Sequence, residues 1–165
     1  MSSPITSAPP RILCVDDRLP SLEVRRALLT ALGYDVLIAS DPESALAIAD
    51  KVNVDLVVLD YSFPGHISGE DLANQLRTSR PGVPLVMLSG FPDLPASARE
   101  SVDCVITKGT DKPSDLLATI ARLLKCPERD PGPMSLLERS QQLMDRSKEL
   151  IQHSRDQAPP EKASR

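Results

Sequence analysis

Aromatic side chains are nearly missing from this chain of 165 residues, which has no tryptophan, two tyrosines and two phenylalanines. A core without them has to be built from Leu, Val, Ile and Ala, and an apolar content of 41% is enough to build one. Cysteine is scarce too. Cys14, Cys104 and Cys126 are an odd number without C-x-x-C spacing, which argues against a disulfide framework or a zinc site and for buried free thiols in a reducing compartment. No apolar run reaches the length of a membrane span, and residues 1–10 carry neither the charged nor the apolar region of a signal peptide. They read as a disordered leader, and the protein as cytoplasmic with no membrane partner. Positive charge is not clustered: residues 126–165 hold seven acids and seven bases, so the net charge of −4 resides in the first 125. No nucleic-acid partner is expected without a basic stripe.

What is present between Arg11 and Lys125 is an alternation of short β-branched runs with amphipathic helices, the pattern of a parallel sheet covered on both faces. Five strands are expected, at Ile12 to Val15, Val36 to Ala39, Leu56 to Leu59, Leu85 to Leu88 and Val105 to Thr107. The helix after the first places Val24, Ala27, Leu28, Ala31 and Leu32 on one stripe and ends at Gly33. Asp41-Pro42 caps the second helix, and Ser68-Gly69-Glu70-Asp71 forms a capping box for the third. Pro92 and Pro95 make the fourth helix short or irregular, and the fifth starts near Pro113.

Three prolines and a glycine then mark residues 126–134 as a linker. Beyond it Leu137, Met144 and Ile151 repeat every seven residues with Leu136, Leu143 and Leu150 beside them. A helix over 135–156 with one apolar face is predicted, suited to a second copy of the chain or a partner helix, and residues 157–165 should fray.

Polar groups collect at the strand ends. Asp16 and Asp17 close the first strand, Asp60 the third, Ser89 the fourth and Lys108 the fifth, so the carboxyl edge of the sheet gathers three acids, a hydroxyl and an amine. Three carboxylates in one place repel, and a hard divalent ion with an all-oxygen shell relieves this, which suits Mg²⁺. With that ion Asp60 is the candidate nucleophile for a phosphoryl group, Asp16 and Asp17 the metal ligands, and Lys108 and Ser89 the donors to phosphoryl oxygen. His66 and His153 have no second ligand nearby and read as solvated.

In this order and spacing, with Asp60 opening Asp-x-x-Phe-Pro-Gly-x-x-x-Gly and Ser89 followed by Gly90, residues 11–125 resemble the receiver domain of two-component response regulators. The resemblance implies a doubly wound α/β fold with strand order 2-1-3-4-5 and a backbone carbonyl of Ser62 as a further metal ligand. It implies a histidine kinase or histidine phosphotransfer protein as phosphoryl donor, and a phosphoacceptor rather than an enzyme. With no DNA-binding output domain expected, signalling would run through protein contacts. Two positions depart from the family pattern. Val105 stands where an aromatic switch is usual, and Gly109 follows Lys108 where a cis proline is usual. These motivate an alternative, a pseudo-receiver acting only by binding. An aspartate-nucleophile phosphohydrolase is less well supported, because Ser62 stands where its second acid would be.

Overall fold

The computed structural model describes residues 8–124; the predicted leader up to Ser7, linker, heptad helix and tail lie outside them. Five strands and five helices alternate: β1 Arg11–Val15, α1 Leu19–Ala31, β2 Asp35–Ala39, α2 Pro42–Lys51, β3 Leu56–Asp60, α3 Gly69–Ser79, β4 Leu85–Ser89, α4 Ala96–Glu100, β5 Cys104–Thr107 and α5 Pro113–Leu123. The strands form one sheet in the order β2-β1-β3-β4-β5, every pair parallel. Expected and observed boundaries differ by a residue or two, because Asp60 and Ser89 still pair as strand residues before the chain turns away.

Because strand side chains alternate, the sheet feeds two cores. Leu13, Val15, Val57, Leu59, Leu85 and Met87 point to one face and meet Ala45 and Ala49 of α2, Leu72 and Leu76 of α3 and Ala98 of α4. Ile12, Cys14, Leu56, Val58, Val86 and Ile106 point to the other and meet Leu22 and Leu29 of α1 and Leu117 and Ile120 of α5. The fully enclosed apolar side chains are aliphatic apart from Met87 and Cys14, and no aromatic ring is among the buried residues described. Asp41 caps α2 by accepting from the Ser44 amide at 2.7 Å, and Ser68 and Asp71 form the capping box of α3. α4 is a five-residue helix, as its prolines require.

The apolar stripe of α1 is phased differently from the expectation. Val24 is 66% exposed, Ala27 and Ala31 face solvent, and the buried positions are Leu22 and Leu29 with Leu28 and Leu32 partly covered. The reason is Arg25, which sits three residues after Leu22 and four before Leu29 on the inward face. A stripe drawn through apolar residues alone passes it by.

Candidate functional site

Parallel pairing brings the carboxyl ends of β1, β3, β4 and β5 side by side. β3 lies between β1 and β4, so the acid that ends it is flanked by the end of β1 on one side and β4 on the other. Asp16 follows Val15 directly and is fully buried; Asp17 is exposed, and Asp60 is buried. One carboxylate oxygen from each of the three lies within 4.8 Å of the others. An oxygen-only cluster of this size, open to solvent on the Asp17 side, fits a hard divalent cation.

Lys108 reaches this cluster from the end of β5. Its Nζ donates to Asp60 Oδ2 at 2.9 Å and lies 3.6 Å from Asp16 Oδ2. A second cation reaches Asp16 from α1: Arg25 Nη2 donates to the same Oδ2 at 3.3 Å, while the Arg18 amide donates to Oδ1 at 3.0 Å. Arg25 was not identified from the sequence. The signal was there, in an arginine placed at helical spacing between two leucines that are both buried.

The lysine's backbone is held by a different device from a proline. Lys108 N donates to Ser89 O at 2.6 Å, and Gly109 takes φ +87°, a left-handed turn open to glycine. Asp111 closes that turn: its amide donates to Thr107 O at 3.0 Å and its carboxylate accepts from Thr107 N at 2.7 Å. Where the family usually has a proline, the chain after Lys108 is thus held by an aspartate-closed turn.

Asp60 is anchored on its other side by Gly69. A Cβ there would run into the Asp60 carbonyl and would come within 2.7 Å of Tyr61 Cα. Its absence lets the first turn of α3 approach the backbone of Asp60 and Tyr61, with Gly69 N donating to Tyr61 O at 2.9 Å and Tyr61 N to Leu88 O at 2.8 Å.

Ser89 is buried, and its hydroxyl is engaged within its own loop, accepting from Phe91 N at 2.9 Å and donating to Phe91 O at 3.0 Å. The structure thus brings together Asp16, Asp17, Asp60 and Lys108, and holds Ser89 one strand away with its hydroxyl turned to the β4–α4 loop. Ser62 and His66 are exposed on the β3–α3 loop, and Val105 is partly buried against the core shared with α2 and α3. Cys14, beneath the cluster, is buried enough that desolvation pushes its thiol pKa up to about 12 against the opposing pull of Arg25.

The family model for the response regulator receiver domain matches residues 12–122. The chain belongs to the response-regulator receiver family. Among curated relatives, this receiver is 33% identical over 133 residues to the DNA-binding response regulator MtrA of Mycolicibacterium smegmatis, an alignment covering 75% of this chain and 54% of that one. It is 30% identical over 107 residues to the transcriptional regulatory protein GlrR of Escherichia coli, covering 63% of this chain and 24% of the other. The receiver thus spans about half the length of the MtrA-type relatives it matches. Among solved structures, a CheY-like receiver domain protein from Methanospirillum hungatei superposes with a TM-score of 0.67 at 29% identity, covering 71% of this chain and 94% of that one. TrrA of Thermotoga maritima, solved in complex with Mg²⁺-BeF, gives a TM-score of 0.62 at 29% identity over 69% of this chain and 98% of its own.

Residues 12–122 are a receiver module whose family and acidic triad support Mg²⁺-dependent phosphoacceptance on an aspartate. Its acidic triad is of the kind that binds Mg²⁺ in receiver domains. Among the described residues no helix is long and apolar enough to cross a membrane.

Proposed function

We propose that Asp60 accepts the phosphoryl group, that Asp16, Asp17, Asp60 and the Ser62 backbone carbonyl hold Mg²⁺, and that Lys108 and Ser89 contact the phosphoryl oxygens. The single observation that carries this reading is the Lys108 ammonium 2.9 Å from the buried Asp60 carboxylate within the triad. Bound Mg²⁺ would supply the charge that lets a carboxylate and a phosphoryl group approach each other. The chain's own part is positional. Gly69 and the end of β3 hold Asp60 in place, its carboxylate oxygen attacks phosphorus in line as the donor's phosphorus–nitrogen bond breaks and the donor histidine leaves, and Lys108 transfers its contact from the carboxylate to the incoming oxygens. Ser89 has to leave Phe91 to donate to the same group, so its hydroxyl is a candidate link between the acceptor and the β4–α4 loop. Val105, lacking a ring and a hydroxyl, offers no hydrogen bond to that movement.

The donor is a histidine kinase or a histidine phosphotransfer protein, and the output is a protein contact. Under this reading residues 1–10 are a leader, 11–125 the receiver, 126–134 a linker, 135–156 a heptad helix that pairs with a second copy or a partner helix, and 157–165 a tail. Incubation of the full chain with acetyl phosphate and Mg²⁺ should add one hydroxylamine-sensitive phosphoryl group, and Asp60→Asn should add none. A folded wild type that stays unmodified overturns the proposal.

A further inference from the structure

Three observations set Arg25 apart. It is placed on the buried face of α1 between Leu22 and Leu29, its side chain is only 10% exposed, and the acid it contacts, Asp16, is 0% exposed. Its Nη2 shares Asp16 Oδ2 with Lys108, at 3.3 Å and 3.6 Å. Its Nη1 is buried with no hydrogen-bond partner. An unpaired guanidinium N–H in an enclosed place is costly, so packing alone does not account for an arginine there; an apolar side chain would fill the same stripe without that cost.

We propose that Arg25 is a built-in counter-cation that competes with Mg²⁺ for Asp16 and so sets the metal affinity of the unphosphorylated receiver. This rests on the reading of the triad as the metal site. Without Arg25 the cluster would hold three carboxylates and one ammonium. With it, two cations face three acids, and only one net negative charge is left to attract a divalent ion. Asp16 Oδ2 already bears both cations, so the cluster is ordered before metal arrives, and a metal that takes this carboxylate has to compete with an ion pair. A phosphoryl group on Asp60 adds negative charge and draws both Lys108 and Mg²⁺ inward. Arg25 then offsets the extra charge instead of opposing the metal, so metal binding and phosphorylation become more strongly coupled than they would be without it.

The test is calorimetric titration of the full chain with MgCl₂, comparing wild type, Arg25→Met, Arg25→Lys and the exposed control Val24→Ala. Arg25→Met should bind Mg²⁺ on the order of tenfold more tightly than wild type. Arg25→Lys and Val24→Ala should stay close to wild type. Equal or weaker binding by folded Arg25→Met, or tightening by Arg25→Lys as large as that by Arg25→Met, overturns the role of Arg25 while leaving the metal site standing. If wild type and variants alike fail to bind Mg²⁺, the metal site itself falls, and this inference with it. Should Arg25→Met not fold, arginine side-chain NMR of the wild type decides the matter. The Arg25 guanidinium resonances should move as Mg²⁺ saturates the site, and resonances that stay still refute competition at Asp16.

Discussion

At the scale of single residues, Gly69 carries more than its lack of a side chain suggests. It stands at the start of α3, where any Cβ would meet the Asp60 carbonyl and Tyr61 backbone, and neither is the far end of a flexible side chain that could swing aside. Gly69→Ala should therefore push the acceptor strand and α3 apart, lowering unfolding free energy by about 1–3 kcal/mol and slowing acetyl-phosphate labelling of Asp60. Urea denaturation beside the labelling assay checks both, and a variant as stable and as reactive as wild type would count against the close approach. At this scale the sequence was partly legible. Asp16, Asp17, Asp60 and Lys108 could be read because each ends an apolar run, so its position along the chain states its position in space. Arg25 could not be read that way. It contacts Asp16 across a helix and a strand, and a charged residue in an amphipathic helix is by default assigned to the wet face.

At the scale of elements, the turn from Thr107 to Asp111 shows how one local structure can replace another. A proline after the lysine would stiffen the chain through its ring; here stiffness comes from two hydrogen bonds between Thr107 and Asp111 around a left-handed glycine. Asp111→Ala should lose about 1 kcal/mol of stability and reduce the rate of phosphorylation more than its distance from Asp60 suggests, because Lys108 gains freedom. Gly109→Ala should act in the same direction through backbone strain, at about 1–2 kcal/mol. Thermal melts and labelling rates measured together test this, and unaltered labelling in both variants would show that the turn does not position the lysine. Most elements were legible because their signals are local: Asp41 with Pro42, Ser68 with Asp71, and Gly33 at the end of α1. The phase of α1 was not. Val24, Ala27 and Ala31 supply an apolar stripe as regular as the true one, which is interrupted by the charged Arg25.

At the scale of the whole molecule, the two aliphatic cores are separated by the sheet and differ in what they enclose. The face shared with α1 and α5 contains Cys14, whose thiol burial holds protonated up to about pH 12 from an ordinary value of 9.0. The folded pKa is the higher one, so the stability contributed by burying a neutral thiol is fully present below about pH 9. It is lost as pH rises toward 12, because the unfolded chain releases that proton first. Denaturation midpoints should fall across that window in wild type and fall less in Cys14→Ala; equal slopes would remove Cys14 as the cause. The scarcity of rings in the chain has an optical consequence. The chain's near-ultraviolet signal can come from tyrosine only at Tyr34 and Tyr61, with no tryptophan to mask them. Tyr61 directly follows Asp60, half-buried, with its backbone bonded to β4 and α3. The protein therefore carries its own unlabelled chromophore beside the proposed phosphorylation site, and its absorbance and circular dichroism can report in real time on what happens at Asp60.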